Sequence, residues 1–133
     1  MLKNFKDGWL TFEIGSTYTC KASYLEDTPH DLLDACIEYF KKGKPSIITL
    51  NEEENGYTYI IIDWTIRIVK DDNVFPLEQY NFCFITNFAR ELITDIEENL
   101  DTLIEEFYLM DNPRRIKKQL NKKIKVLKNL IYR

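Results

Sequence analysis

A single strong helix signal, flanked on both sides by β-hairpin signals, constrains the fold of this chain more than any other feature. In the stretch TPHDLLDA, Thr28 predicts an N-cap, Pro29 suits the first helical position, and aspartates follow near the positive end of the helix dipole. Apolar residues then recur at helical spacing as far as Gly43, which is typical of a left-handed helix stop, and Pro45 prevents continuation. The sequence therefore predicts a helix from Thr28 to the residues just before Gly43.

The segment before this helix predicts a β-hairpin. From residue 9 to residue 24, apolar and polar residues alternate on both sides of a Gly-Ser-Thr turn. A three-residue loop would pair Ile14 with Tyr18 and Phe12 with Cys20, which keeps both apolar sets on one face of the sheet. A two-residue turn would put the two sets on opposite faces, so we expect the three-residue loop.

The segment after the helix predicts a second hairpin, because SIITL and GYTYIII flank the turn sequence NEEEN. Residues 57–69 are then open to two interpretations. One is a single long strand, and the other is a hairpin with a tight turn at Asp63-Trp64. We favour the hairpin because a strand of about 13 residues exceeds the usual length. The tight turn would place four apolar side chains on one face: Tyr59, Ile61, Ile66 and Ile68.

The last third of the chain predicts a final strand and two amphipathic helices. NFCFIT is apolar on both parities, which is typical of a strand covered on both faces. An acidic helix is expected at about 88–111 and a basic helix at about 113–132, separated by an Asp-Asn-Pro break. The order ββα-ββββ-αα predicts a single α+β domain over 1–133, with an antiparallel sheet of about five to six strands and helices packed on one face.

Charge is divided unevenly along the chain. The net charge is -4, but residues 113–133 contain no acidic residue and carry +9, so the other 112 residues carry -13. We expect the acidic and basic helices to neutralise each other in part, through exposed pairs that contribute about 0 to 1 kcal/mol each. Nucleic-acid binding, a membrane-surface helix and protein docking are the alternatives for the basic helix. The nucleic-acid hypothesis would use Arg114, Arg115, Lys117, Lys118, Lys122 and Lys123.

The side chains that usually carry catalysis are scarce. His30 is the only histidine, and we expect it to be exposed at the helix start, with a pH-sensitive contact or a catalytic base as alternatives. The three cysteines have no metal-ligand spacing and are expected to be core residues rather than reactive thiols. The four glycines are too far apart to cradle phosphate. We therefore predict no catalytic set, no cofactor and no metal site, and keep a carboxylate-based enzyme as a minor alternative.

The longest apolar run is far shorter than the roughly 20 residues that a membrane-spanning helix needs, and the N-terminus lacks the apolar segment of a signal peptide. We therefore expect a cytoplasmic protein. The high aromatic content, with 8 Tyr, 8 Phe and 2 Trp, leaves oligomerisation open, because aromatic residues are favoured at interfaces.

Residues 20–62 contain a characteristic set of positions: Ala22-Ser23-Tyr24-Leu25, Asp27, Asp31-Leu32-Leu33, Ala35, Gly43, Glu52-Glu53 and Tyr57. Through these positions the segment resembles a family of small uncharacterised bacterial proteins, some of which look like immunity proteins of polymorphic toxin systems. The resemblance implies no catalytic residues, and the basic helix lies outside it.

These observations favour a non-enzymatic, cytosolic protein-binding module, most concretely an immunity-like protein that occludes a toxin. Electrostatic complementarity speeds encounter, so an acidic surface would suit a basic partner. The candidate partner-binding residues lie at the second hairpin tip and along the acidic helix: Glu52, Glu53, Glu54, Glu91, Asp95, Glu98, Asp101 and Glu105.

Overall fold

The computed structural model describes residues 1–14, 18–23, 26–52, 56–71, 78–109 and 111–132. Strands and helices follow in the order βββα-ββββ-ααα within these residues. The strands are β1 (Leu2–Lys6), β2 (Trp9–Ile14), β3 (Tyr18–Ser23), β4 (Ser46–Asn51), β5 (Tyr57–Ile62), β6 (Thr65–Asp71) and β7 (Glu78–Phe84). The helices are α1 (Thr28–Lys42), α2 (Ile85–Glu98), α3 (Leu100–Glu106) and α4 (Pro113–Ile131).

The α+β class is confirmed, but the prediction of a single sheet is wrong. The strands form two antiparallel sheets, one of three strands in the order β1-β2-β3 and one of four in the order β4-β5-β6-β7. Carboxylates lie where β3 and β4 could have paired. The Lys21 amide donates to Glu52 Oε1 at 3.2 Å, and the Asn51 amide donates to Glu26 Oε1 at 3.0 Å. These amides therefore bond to side chains instead of extending one sheet into the other.

The strand β1 was not predicted, although the sequence carries a signal for it. Asp7 and Gly8 both have positive φ, at 52° and 83°, and join Lys6 to its partner Trp9. Two consecutive residues with positive φ make the hairpin turn that Asp-Gly sequences favour. The chain therefore begins with a hairpin, and the first sheet gains a third strand.

All three predicted hairpins are confirmed as strand pairings, including that of β4 with β5 across the NEEEN segment, of which residues 53–55 lie outside the described residues. Ile14 pairs with Tyr18 and Phe12 with Cys20, as the three-residue loop requires; the Gly-Ser-Thr turn itself lies outside the described residues. The segment 57–71 is a hairpin whose strands pair symmetrically about Trp64.

The predicted faces of the 57–71 hairpin are wrong. The pairing of Ile62 with Ile66 makes the connection one residue longer than the expected tight turn. This shift puts Ile66 and Ile68 on the face of Ile60 and Ile62 rather than on the face of Tyr59, because side chains alternate along a strand. All four of these isoleucines are fully buried.

The helices cover the inner face of the four-stranded sheet and meet the first sheet at one core. Contacts of α1 are with β4 and β5, while α2 contacts β6 and β7. Phe12 from β2 approaches Phe88 from α2 with ring centroids 6.5 Å apart. The predicted helix 88–111 is split, because Asn99 separates α2 from α3 and its side-chain amide donates to the Asp95 carbonyl at 2.8 Å. The basic helix α4 begins at Pro113, as predicted.

Candidate functional site

The face of the four-stranded sheet turned away from the helices is rich in apolar side chains. We call this set the outer sheet face: Ile47, Tyr57, Tyr59, Ile61 and Val69. Ile47 is 65% exposed, and Tyr57 is also exposed, while the other three are half-buried. Cross-strand pairing joins Ile47 to Ile61 and Tyr59 to Val69, so the side chains form a continuous surface. An exposed apolar patch of this kind marks an interaction site more often than a scattered exposed residue does.

Two exposed aromatic residues lie at one end of the same sheet. Trp64 is 60% exposed and Phe84 is 59% exposed, with ring centroids 6.1 Å apart. The Ile85 amide donates to the Trp64 carbonyl at 3.0 Å, which fixes the β5–β6 connection beside the start of α2. Sequence reasoning missed this surface. The sequence signal for this surface was that β5 has large apolar residues at both odd and even positions, a pattern that places bulky residues on both faces of a strand.

The candidate acidic residues have different surroundings. Glu52 is tied into the fold, because it accepts from the Lys21 amide and from Thr58 Oγ1 at 2.7 Å. Asp95 accepts from the Leu2 amide and lies 2.8 Å from the Met1 amino group. Asp101 is 4.0 Å from Lys117 Nζ and has a side chain 93% exposed. Glu91, Glu98 and Glu105 are exposed and form no ion pair within the described residues, whereas Glu53 and Glu54 lie outside them.

The basic candidates divide into paired and unpaired residues. Three of them form ion pairs, Arg115 with Asp111, Lys117 with Asp101 and Lys123 with Asp34. In the part of the chain that the structure describes, two ion pairs join α4 to the acidic helices: Lys117 with Asp101, and Lys128 with Glu97 at 2.9 Å. The expected neutralisation is therefore partial. A stripe of exposed cations without an ion pair among the described residues remains on the outward side of α4: Arg114, Lys118, Lys122 and Lys125.

The prediction that His30 is exposed is wrong. Its side chain lies among buried residues at the start of α1, is 6% exposed overall, and neither ring nitrogen has a hydrogen-bond partner among the described residues. Its ring meets Tyr108 edge-on, with centroids 6.0 Å apart, and Tyr108 Oη donates to Asp27 Oδ1 at 2.6 Å. Asp27 rather than Thr28 is the N-cap residue, and Thr28 is buried. The helix start is buried because Tyr108 packs over it, a contact between residues about eighty positions apart.

Burial changes the acid–base properties of this cluster. Desolvation lowers the pKa of His30 below its ordinary value of 6.5, and the nearby Asp27 and Asp34 carboxylates oppose that change. Desolvation and the neighbouring Asp27 raise the pKa of Asp31. Tyr108 keeps its proton because burial and the Asp27 carboxylate raise the pKa of its hydroxyl. The cluster therefore has a neutral imidazole and a phenol that donates to a carboxylate.

The cysteines match the prediction of core residues. Cys20 and Cys36 are buried and Cys83 is half-buried. Burial raises the pKa of the Cys36 thiol to about 12 and also raises the pKa of Cys83, so both thiols stay protonated near neutral pH. Within the described residues, no group of three or more His, Cys, Asp and Glu side chains is placed to hold a metal ion.

Of the helices in the described ranges, none is long and apolar enough to cross a membrane. No protein-family model, curated protein sequence or solved structure matches this chain.

Proposed function

We propose that this chain is a non-enzymatic, cytosolic protein-binding module that occludes a partner protein through its outer sheet face and the adjoining Trp64–Phe84 pair. The observation that carries the proposal is the exposure of Ile47, Trp64 and Phe84 on a sheet whose opposite face is already covered by helices. Burying large apolar and aromatic side chains supplies most of the free energy at protein interfaces.

The charges on this face indicate the chemistry of the partner's contact surface. Arg67 projects from β6 opposite Ile61, and its guanidinium lies 3.9 Å from the Asp63 carboxylate. A charge that is already paired gains little from a charged partner, and an unpaired partner charge would be desolvated at a cost. The partner is therefore a protein with an apolar, largely uncharged contact patch.

The exposed acids favour a partner that is basic outside that patch. Glu91, Glu98 and Glu105 lack ion pairs within the described residues, and Asp101 has only its long contact to Lys117. Such charges affect encounter rates more than final affinity. Together with the resemblance to immunity proteins, they support a basic toxin as the partner.

Site-specific photocrosslinking in the native host tests the proposal. A benzophenone amino acid at Ile47 or Trp64 is expected to capture the same partner, whereas the equally exposed Leu109 and Tyr132 provide matched control positions. Thr49→Lys places a charge on the edge strand β4 directly opposite Tyr59, within the outer sheet face, and is expected to abolish capture. Thr102→Lys, on α3, is the control for an added lysine.

The captured protein is expected to be toxic when it is expressed alone, and the wild-type chain but not Thr49→Lys is expected to relieve that toxicity. Equal capture at the control positions would contradict the proposal. An adduct formed only between two copies of this chain would contradict it as well.

The unpaired cations of α4 favour a second candidate function, nucleic-acid binding. Arg114, Lys118, Lys122 and Lys125 recur at spacings of four, four and three, so they share one side of the helix. A gel-shift assay with duplex DNA at about 50 mM salt tests this function, because phosphate contacts are strongest at low salt. A complex that disappears when these four residues are changed to Gln would support it, and the absence of any complex would exclude it.

A further inference from the structure

The hydrogen bonds at the end of β4 show which of its backbone groups face away from β5. The Glu52 amide donates to the Gly56 carbonyl at 2.9 Å, on the side of β5, whereas the Asn51 amide donates to the Glu26 carboxylate at 3.0 Å. Hydrogen-bonded and non-hydrogen-bonded pairs alternate along an antiparallel ladder. The odd-numbered residues of β4 therefore direct their N–H and C=O groups away from β5.

Ile47 and Thr49 are the two odd-numbered residues of β4 that precede Asn51. In the described ranges, β4 is an edge strand, and the backbone groups of Ile47 and Thr49 have no hydrogen-bond partner on its open side. They form a row of two donors and two acceptors that spans about 7 Å. An open row of this kind is a template to which another strand can add.

A groove of about 300 Å³ lies between this open edge and α1. Residues 46–49 of β4 form one wall, and Asp31, Asp34, Ala35 and Glu38 of α1 form the other. The four α1 residues recur at helical spacing, so one side of the helix faces the open edge. The space beside β4 is therefore accessible to another chain and has an acidic wall.

The lysines that pair with this wall lie outside the groove. Lys123 Nζ is 3.0 Å from the Asp34 carboxylate and Lys42 Nζ is 3.8 Å from that of Glu38, but neither lysine lines the groove. Asp31 has no ion pair within the described residues. Side chains that enter the groove beside β4 therefore meet carboxylates and no cation of the lining.

A strand added at β4 would have two different surroundings, because successive side chains of a strand point to opposite faces. On one face they extend the outer sheet face beside Ile47, which is 65% exposed. On the other face they meet the acidic wall of α1. We propose, resting on the protein-binding function above, that the partner adds a strand antiparallel to β4, in which apolar residues alternate with Arg or Lys. The apolar residues cover the outer sheet face, and the basic residues face α1.

The same charges disfavour a second copy of this chain as the occupant. A twofold dimer uses the same patch on both subunits, so pairing β4 with β4 would turn the acidic walls of two α1 helices toward one interface. Juxtaposed like charges suppress such a pairing, whereas a basic strand complements the wall. The charge pattern therefore selects a strand from another protein.

NMR titration of the full-length, ¹⁵N-labelled chain tests strand addition at single amides. The probe is the blocked peptide Thr-Arg-Val-Arg-Val-Arg-Thr, in which both valines lie on one face and the arginines on the other. We expect saturable downfield shifts of the amide protons of Ile47 and Thr49, because each gains a hydrogen bond. The amide of Ile48 already faces β5 and is the internal control.

Three modified peptides test the geometry of the added strand. In antiparallel addition, the residues directly opposite Ile47 and Thr49 share their face and direct their own N–H groups toward β4. N-methylation of both valines is therefore expected to abolish binding, whereas N-methylation of the first two arginines is expected to preserve it. Replacing the three arginines with glutamate is expected to abolish binding through repulsion by α1.

Variants of the protein test both walls of the site. Thr49→Pro removes one edge N–H at a place where proline is tolerated, an edge strand with that N–H directed outward, and is expected to abolish binding. Asp31→Asn is expected to raise Kd about twofold to fivefold, the range that exposed ion pairs contribute. Glu98→Gln, an exposed carboxylate on α2, is the matched control and is expected to leave Kd unchanged.

Three results would overturn strand addition: equal binding of the two N-methylated peptides, shifts no larger than those caused by the glutamate peptide, or a dimer of this chain joined through β4 in light scattering. The peptide results hold even if Thr49→Pro fails to fold, because they use the wild-type chain. Crosslinking at Trp64 separates this proposal from the proposed function. Capture that persists in a folded Thr49→Pro variant overturns strand addition alone, whereas equal capture at Leu109 and Tyr132 overturns the function itself.

Discussion

The first turn of α1 contains buried polar atoms that a helix start would normally expose. Thr28 Oγ1 and both ring nitrogens of His30 have no hydrogen-bond partner among the described residues. Burying such a group without a partner costs about 1 to 3 kcal/mol. His30 can carry this cost only while it is neutral, because a buried unpaired charge is much less favourable than a buried neutral ring.

We therefore predict that protonation of His30 destabilises the protein. Because its pKa is lowered in the folded state, the unfolded chain binds the proton first, and stability is lost as pH falls from 7.5 through 6.5. Among the charged groups near the ring, Lys123 also lowers the pKa of His30. The carboxylates of Asp27, Asp34 and Asp111 raise it and so reduce the expected loss of stability. Urea unfolding between pH 7.5 and 6.0, above the usual range of carboxylates, measures the change.

The control for this prediction is His30→Gln, which cannot titrate and is expected to flatten the stability profile over the same pH range. An unfolding midpoint for wild type that stays constant or rises between pH 7.5 and 6.0 would contradict the prediction. The same slope in His30→Gln would assign the effect to other groups.

The sequence predicted where α1 begins and ends but not what covers its first turn. Helix start and stop signals depend on neighbours within about four residues, so Pro29 and Gly43 could be interpreted locally. The burial of His30 depends on Tyr108, which is far away in sequence and carries no periodic signal.

At the scale of single elements, the end of α1 is set by one glycine. Gly43 has φ +66°, its amide donates to the Tyr39 carbonyl at 2.7 Å, and apart from its chain neighbours no atom of the described residues lies within 4 Å of where a Cβ would be. Gly43→Ala is therefore expected to cost about 1 kcal/mol through backbone strain alone. Urea unfolding measures this cost, and Gly43→Asn, which tolerates the left-handed region better, is expected to lose less. An unchanged midpoint for Gly43→Ala would contradict the strain argument.

The start of α4 depends on a side-chain cap. Asn112 Oδ1 accepts from the Arg114 amide at 3.0 Å and from the Arg115 amide at 3.2 Å. Asn112→Ala is expected to lower the free energy of unfolding by about 1 kcal/mol. Asn112→Asp keeps the acceptor and adds a favourable charge at the helix N-terminus, so it is expected to be neutral or stabilising. Equal losses in both variants would show that the cap contributes nothing, and Asn129→Ala near the other end of α4 is the control.

At the scale of the whole molecule, sequence patterns could predict strands but not how the strands divide into sheets. Alternation assigns a residue to a face of a strand and says nothing about which edge remains unpaired. At the division here, edge amides donate to the Glu26 and Glu52 carboxylates, and acids beside a strand are normally expected to be solvated. The outer sheet face was missed for a related reason, because burial of β5 on one side or on both depends on which elements cover the sheet.

Hydrogen exchange at single backbone amides tests the contacts at the junction between the two sheets. Glu52 accepts from the Lys21 amide in β3, and Glu26 accepts from the Asn51 amide in β4, so each carboxylate protects one edge amide. Glu52→Ala is expected to speed hydrogen exchange at Lys21 while leaving Asn51 protected, and Glu26→Ala is expected to do the reverse. Each variant removes charge-assisted bonds at a partly exposed site, so each is expected to lower the free energy of unfolding by about 1 kcal/mol.

Glu98→Ala is the matched control for this pair, since Glu98 is exposed on α2 and forms no ion pair within the described residues. It is expected to leave both amides and the overall stability unchanged. If either junction variant speeds exchange at Lys21 and Asn51 equally, exchange proceeds through global unfolding and the carboxylates do not protect the edges separately. The crossed pattern instead requires that two independent side-chain contacts protect the edge amides of β3 and β4, where the two sheets lie side by side without pairing.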